Sequence, residues 1–436
     1  MLKVCKFGGT SMADAASIRI VEDIVHGDKS RKYVVVSAPG KRFKEDEKVT
    51  DLLYKAYELR RDEKAFSEVF KKIEERFDGI ISDLGLSFSL KKEYGEIRDE
   101  IKKSTSADYA ASRGEYLAAV VLAEYLGFSF VDTRDIVKFD ERNIFDMPLT
   151  EKRTAAALAG KVYAVIPGFY GSNLKGDVVT FSRGGSDITG SIVAGAVDAD
   201  LYENWTDVDG FLTADPRVVK NPKLIDKLSY KELRELSYMG ASVLHHEAIF
   251  PVKRAGIPIN VKNTFDKKKN GTLIMPYVDL PKSDKTITGI AGKRGYSVIN
   301  IEKSMLNNEI GFVRKVLSVL EKHAISFEHM PTGIDTLSIV VADSEMKSPS
   351  DLLCEISSEV RPDAINIVSG LSLIAVVGHG MLKRKGTAAK VCSALADNEI
   401  NIRMIDQGGS ELNIIVAVDT NDYEKGINAI YNAFFE

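Results

Sequence analysis

The chain has little cysteine: three residues in 436, Cys5, Cys354 and Cys392, far apart and each in an apolar run. That spacing points to buried free thiols in a reducing cytoplasm. Six histidines show no zinc spacing, and the adjacent pair His245-His246 would point to different faces of a helix, so no structural metal is expected. No apolar run is long enough to span a membrane. Lys3 and Lys6 interrupt the stretch where a signal peptide needs its apolar core. Positive charge is not in excess: 59 Lys and Arg against 63 Asp and Glu leave −4, and the basic residues are spread through the chain, which excludes nucleic acid as an expected partner. The Walker A pattern G-x-x-x-x-G-K-[ST] does not occur. What remains has the apolar fraction of a soluble globular protein and a length that predicts about three domains.

The most informative stretch is Lys6-Phe7-Gly8-Gly9-Thr10-Ser11. A short apolar run, Leu2 to Cys5, reads as a strand before it. Ile18, Val21 and Val25 fall at helical spacing after it. Strand, glycine turn and helix in that order put the turn at the carboxyl end of a strand, where open α/β sheets bind ligands. Two glycines let backbone approach an anion closely, and Lys6 adds a full positive charge beside them. The plainer account is a Gly-Gly turn with Ser11 and Asp14 as a capping box.

The same design recurs. Val178 to Phe181 reads as a strand and leads into Ser182-Arg183-Gly184-Gly185-Ser186-Asp187, with Asp187 expected to cap the helix that follows. Two basic Gly-Gly loops suggest two anionic groups to hold. Tyr33 to Ala38, Phe128 to Val131, Val162 to Ile166, Leu201 to Trp205 and Ile257 to Val261 read as further strands, and Gly240-Ala241-Ser242 as the start of a helix to about Arg254. The charged loop Lys41 to Lys48 could fold over a ligand or be only a solvated connection, and its charge favours the second. Asp62 to Lys103 reads as a helical excursion broken around Gly79 to Ser89, a solvated face with no part in chemistry. Alternation from Lys3 to about Ile274 argues one doubly wound, mainly parallel α/β domain.

Beyond it the pattern changes. Gly311, Val316, Leu320, Ile325, Met330, Leu337, Ile339 and Val341 recur 75 residues later as Gly386, Val391, Leu395, Ile400, Ile405, Leu412, Ile414 and Val416. Each repeat reads βαββαβ, which predicts two small ferredoxin-like units. Gly378-His379-Gly380 is not a dinucleotide fingerprint, because Lys383 stands where the third glycine belongs.

Four ordered motifs now resemble one family. KFGGTS at 6–11, SRGE at 112–115, FSRGGSD at 181–187, and WTDVDG with DPR across 205–217 resemble the aspartate kinases of the amino acid kinase superfamily. The tandem repeat resembles that family's paired ACT domains. The resemblance implies a catalytic domain over 1–280 and ACT domains over 290–370 and 371–436. It implies transfer of the ATP γ-phosphate to the β-carboxylate of L-aspartate, the first step toward lysine, threonine and methionine, in a cytoplasmic homodimer or dimer of dimers, with magnesium carried by the nucleotide. Lys6 would bridge nucleophile and phosphoryl group, oriented by Asp187. Gly8, Gly9 and Ser11 would surround the phosphates. Ser37, Thr50, Glu115, Arg183 and Ser186 would hold aspartate, with Arg183 on the α-carboxylate and Glu115 on the ammonium. Thr206, Asp207 and Arg217 match the nucleotide side. Two positions depart from many relatives: Leu212 replaces a tyrosine and Ser242 a lysine.

The same resemblance implies an end-product effector. The polar loop Ser304 to Gly311 precedes the first repeat's helix, whereas the second repeat carries Leu382-Lys383-Arg384-Lys385 there. The effector is therefore expected on the first repeat, at Met305, Asn307, Gly311, Phe312, Val313 and Ser326. Glu328 and Asp335 would meet a second, cationic group, which favours L-lysine over L-threonine. The rival readings are a kinase for another carboxylate of the same superfamily and an amino-acid-binding regulator with a dead kinase half.

Overall fold

The computed structural model describes residues 1–182, 184–241, 243–244, 248–279 and 285–436. They form two compact units: Met1–Phe211 with Leu224–Leu233 and Ser242–Pro281, and Leu212–Lys223 with Arg234–Ala241 and Lys282–Glu436.

The first unit is built on a sheet of β1 (Lys3–Phe7), β2 (Arg31–Val36), β3 (Ser129–Phe130), β4 (Ala164–Pro167), β7 (Leu201–Thr206), β8 (Lys227–Ser229), β9 (Ile259–Asn263) and β10 (Thr272–Met275). Their order is β3-β4-β2-β1-β7-β9-β10-β8, with only the β9–β10 pair antiparallel. A hairpin of β5 (Tyr170–Ser172) and β6 (Val178–Thr180) stands apart. The helices are α1 (Ala15–His26), α2 (Val49–Glu58), α3 (Glu63–Asp83), α4 (Lys91–Lys103), α5 (Ala107–Leu126), α6 (Thr133–Ile136), α7 (Met147–Leu158), α8 (Gly185–Ala196) and α10 (Phe250–Ala255); α9 (Tyr230–Tyr238) runs from the first unit into the second.

Strand periodicity divides the labour between the two faces. Cys5, Phe7, Val34, Val36 and Trp205 enter one core with Ile18 and Val21 of α1, Leu53 of α2, Phe66, Phe70, Ile73 and Phe77 of α3, and Leu117 and Val121 of α5. Lys6, the neighbour of Cys5, takes the opposite face, over which α8 packs. The excursion is two helices, α3 and α4, as the spacing predicts. Its Arg76 is buried and donates to the carbonyls of Ala13 (3.3 Å) and Gly40 (3.1 Å) and to Asp46 (2.6 Å). The 41–48 loop is exposed except at Asp46, which is buried and held by Arg42 and Arg76.

Two caps also differ from expectation. Asp14 alone caps α1, accepting from Ser17 N–H, while Ser11 Oγ pairs with Thr264 Oγ1 at 2.8 Å instead. Gly184 is the residue before α8, so Asp187 lies inside the first turn and its carboxylate is free to face the sheet. The helix expected from Gly240 is observed only as α10, where Pro251 suits a helix start; Ser242, His245 and His246 lie outside the described residues.

In the second unit, β11 (Gly289–Glu302), β12 (Thr336–Ala342), β13 (Ala364–Val377), β14 (Met404–Asp406) and β15 (Asn413–Asp419) form an antiparallel sheet in the order β12-β11-β13-β15-β14. The helices are α11 (Phe312–Lys322), α12 (Pro349–Val360), α13 (Thr387–Ala396) and α14 (Tyr423–Phe435). The 75-residue repeat is plain in the backbone: Gly311 and Gly386 both precede a helix with φ near +85° (83 and 86). Two cores result, one around Ile299, Phe312, Val316 and Ile339, the other around Ile374, Val391, Ile414 and Ile430. The strand expected near Ile325 is reduced to the bridges His329–Val340 and Thr332–Leu337, because Pro331 between them brings no N–H to a ladder. Strands β11 and β13 are long enough to serve both cores. Residues 296–302 of β11 pair with 364–371 of β13, and residues 289–294 pair with 372–377.

Candidate active site

The parallel strands β1, β2, β4, β7 and β9 end on one edge of the sheet. From it emerge Gly8-Gly9, Ser37-Ala38, Gly168-Phe169, Asp207 and Thr264. These loops are tied together. Gly40 N–H donates to Gly9 O at 2.8 Å, Gly168 N–H to Val36 O at 2.9 Å, and Thr264 N–H to Thr206 O at 2.8 Å. Thr10 Oγ1 donates to Asp207 Oδ2 at 3.0 Å, and Thr206 Oγ1 to Asp207 Oδ1 at 3.3 Å. The edge is thus a frame of backbone with few large side chains, which suits a polyanionic ligand.

Lys6 and Asp187 meet at this edge. Lys6 Nζ lies 2.6 Å from Asp187 Oδ1, with both side chains largely out of solvent. Within the turn, Gly8 N–H donates to Trp205 O and Ser11 N–H to Gly8 O, each at 3.0 Å, and Ser11 is fully buried. Gly8 and Ser11 therefore shape the turn. Ser37 N–H donates to Phe7 O at 3.1 Å, Thr50 is the second residue of α2, and Ser186 is buried at the start of α8. Arg183 lies outside the described residues.

The SRGE segment is in α5. Arg113 is buried with its guanidinium 4.7 Å from the ring centres of Tyr109 and Tyr116 and 5.0 Å from that of Tyr170, an internal cation–π node rather than a ligand group. Glu115 is different. Burial raises its pKa from 4.5 to about 8, outweighing its own and the Ala38 amides and the Arg113 charge. Its Oε2 is buried and, among the described residues, has no hydrogen-bond partner. Ala38 also borders the glycine turn, since a Cβ on Gly9 would sit 3.0 Å from Ala38 O. An unpaired buried acceptor at the rim of an anion frame is set for a cationic group.

The DPR residues divide from the rest. Arg217 belongs to the second unit and is held by Asp215, with Nε 3.0 Å from Oδ1 and Nη2 2.6 Å from Oδ2. The first repeat's loop is also self-engaged. Asp335 Oδ1 accepts Met305 N–H at 2.7 Å, Asn307 N–H donates to Ile334 O at 3.2 Å, and Ser326 N–H to Glu345 at 2.6 Å. Phe312 fills the core, Gly311 has the left-handed backbone that starts α11, and Val313 is partly buried in that helix's first turn. Glu328 receives the Tyr296 hydroxyl at 3.4 Å on Oε1, while its buried Oε2 has no partner among the described residues.

Sequence reasoning missed Asn204 and Tyr202, both on β7 against Asp187, and Arg76. None stands in a recognisable motif. The one available signal was a polar residue, Asn204, among the buried positions of a central strand.

The residues 1–263, well over half of the chain, match the family model described as "Amino acid kinase family", and residues 374–434 match one described as "ACT domain". That defines the class: a small-molecule kinase with a regulatory module. Over its full length the chain is 38% identical to aspartokinase 3 of Bacillus subtilis (strain 168), covering 99% of that protein. The solved aspartate kinase of Clostridium acetobutylicum superposes with a TM-score of 0.95 at 50% identity, over 99% of this chain and 100% of that one. Aspartokinase III of E. coli, solved with aspartate and ADP, gives 0.79 at 27% identity, with both chains covered completely. The chain belongs to the aspartokinase family.

Proposed function

We propose that the chain transfers the γ-phosphoryl group of ATP to the β-carboxylate of L-aspartate. The observation that carries this reading is the pairing, at one sheet edge, of the Lys6–Asp187 ion pair with the Glu115 carboxylate, whose buried Oε2 has no partner among the described residues. The E. coli relative solved with aspartate and ADP supports the choice of substrates.

The chemistry asks little of the protein in proton transfer. A carboxylate with a pKa of about 4 is ionised at neutral pH and needs no general base. One of its oxygens attacks Pγ, the bond from Pγ to the β,γ-bridging oxygen breaks, and ADP leaves with that oxygen; the product is 4-phospho-L-aspartate. The obstacle is repulsion between anions, so the work is positioning and charge neutralisation. Lys6 supplies a charge between nucleophile and phosphoryl group. The Gly9 turn cradles phosphate oxygens, Glu115 takes the aspartate ammonium, and Arg183 its α-carboxylate. Thr206 and Asp207 line the nucleotide side. Among the described residues no group of three or more His, Cys, Asp or Glu is arranged to hold a metal. The donor set fits magnesium that arrives on the nucleotide phosphates, where it would neutralise charge.

The test is Lys6→Ala, with acyl phosphate trapped as the hydroxamate. The kcat should fall roughly a hundredfold or more, as for loss of one preorganised charge, with smaller changes in either KM. A folded variant with nearly unchanged kcat would sink the assignment.

The regulatory reading is L-lysine bound at the first repeat of a cytoplasmic homodimer or dimer of dimers, with the reaction opening lysine, threonine and methionine synthesis. Its support is Glu328, a carboxylate with the Tyr296 and Tyr238 hydroxyls beside it and a buried Oε2 that would suit a side-chain ammonium, whereas Asp335 is engaged by Met305 N–H. E. coli aspartokinase III, 27% identical to this chain with a TM-score of 0.77, has been solved with lysine and aspartate. Glu328→Ala should desensitise the enzyme to lysine and leave its uninhibited kcat nearly intact. Full lysine sensitivity in that variant, or inhibition of the unaltered enzyme by threonine alone, overturns it.

A further inference from the structure

β7 presents Tyr202, Asn204 and Thr206 on one face, and its parallel register with β1 sets Asn204 directly beside Lys6. Both side chains converge on one atom. Lys6 Nζ lies 2.6 Å from Asp187 Oδ1, and Asn204 Nδ2 donates to the same oxygen at 2.8 Å. Asn204 is buried, with 3% of its surface exposed. Two residues earlier on the strand, the Tyr202 hydroxyl donates to the Asp187 backbone carbonyl at 3.1 Å. The helix can sit this close only because residue 190 is glycine: a Cβ there would lie 2.5 Å from the Tyr202 hydroxyl oxygen.

The strand therefore grips Asp187 at its main chain and at its carboxylate. The choice of an amide matters. A lysine or arginine at 204 would compete with Lys6 for the carboxylate and neutralise it. An alkyl side chain would leave Asp187 free to turn with Lys6. The neutral N–H fixes the oxygen and leaves its charge to Lys6. We infer that Asn204 is a positioning residue for phosphoryl transfer, acting through Asp187 to hold the Lys6 ammonium in place. This rests on the role of Lys6 proposed above.

Three variants test it: Asn204→Leu, Asn204→Asp and, as reference, Lys6→Ala. Each is assayed for kcat and both KM values from pH 6 to pH 9, with thermal unfolding as the folding control. Asn204→Leu should lose roughly tenfold to hundredfold in kcat, the scale of a hydrogen bond to a charged group, with KM values nearly unchanged. Asn204→Asp gives a sharper reading. Two carboxyl groups in contact cannot both ionise easily, so at low pH the introduced carboxyl keeps a proton and donates as the amide did. As pH rises it ionises, repels Asp187 and draws Lys6 away. The kcat of Asn204→Asp relative to wild type should therefore fall steadily with rising pH. A purely structural role gives a ratio that does not change with pH, and that result overturns the inference, as does full kcat in a folded Asn204→Leu. If Asn204→Leu does not fold, the pH ratio of Asn204→Asp decides alone. Undiminished kcat in Lys6→Ala overturns the underlying assignment; an inactive Lys6→Ala beside a flat Asn204→Asp ratio overturns only the role of Asn204.

Discussion

Two buried glutamates of the first unit, Glu203 and Glu115, have opposite surroundings. Glu203 sits in the middle of β7, with its carboxylate drawn to Arg31 and Lys3 at the amino ends of β2 and β1. It receives Arg31 Nε at 2.7 Å and Nη2 at 3.2 Å, Trp205 Nε1 at 3.0 Å and the Cys5 thiol at 3.4 Å, with Lys3 Nζ at 3.4 Å. Burial pushes its pKa up, but the Arg31 bonds and charge, Lys3 and Trp205 outweigh it and hold the carboxyl below its ordinary range. Glu115, at the opposite, ligand-facing edge, has an oxygen with no partner and a pKa raised to about 8. One end of the sheet satisfies its buried charge internally; the other leaves it for something that arrives. The unsatisfied group marks the working end.

The signs follow from linkage. A depressed carboxyl contributes stability above its unfolded pKa and loses it as pH falls, so Glu203 stabilises the fold near neutrality. A raised carboxyl does the reverse: Glu115 costs stability increasingly as pH rises from 4.5 to about 8. The largest expected effect is at the satisfied end. Glu203→Ala leaves Arg31 and Lys3 without their buried partner, and should lower the unfolding free energy by about 3–5 kcal/mol, read from denaturant curves. A loss below about 1 kcal/mol would break the contrast.

The smaller effect is at the working end and shows in binding. If Glu115 takes the aspartate ammonium, as proposed, that ammonium needs Glu115 ionised, and binding is expected to release a proton. Apparent aspartate affinity should rise toward about tenfold per pH unit below pH 8 and level off above it. Glu115→Gln should bind aspartate more weakly, flatten that slope and leave the fold at least as stable at pH 8. A Gln variant that keeps the wild-type slope would place the titrating group elsewhere.

Much of this was legible in the sequence. Lys6, the two glycines after it and Glu115 stand in ordered motifs. The alternation of strands and helices placed the first motif on a sheet edge, and the 75-residue repeat announced paired units. What was not legible depends on distant neighbours. Asp187 reads locally as a cap, and its pairing with Lys6 came from the family resemblance alone; no local pattern shows that α8 packs over β1 and β7, which lie side by side in parallel register. Asn204 became visible only through that register. Arg76 looked like surface charge on a polar helix, since only tertiary structure shows the carbonyls of Ala13 and Gly40 closing on it. The strand near Ile325 failed for a local reason, Pro331, that apolar spacing had outvoted.

The long strands β11 and β13 bear on how the chain is made. At Gly295 and Gly370, both left-handed with φ of 84° and 79°, each strand passes from one core to the other. The stretch between those glycines returns almost to its starting point, so the second repeat is assembled from two separated pieces of polypeptide. During synthesis residues 289–294 emerge first and must wait for 372–377 before they can pair. The first repeat has no such delay, since its residues all lie within 296–371. Contacts of longer sequence separation form more slowly. Pairing within the first repeat is therefore expected to precede completion of its neighbour's sheet.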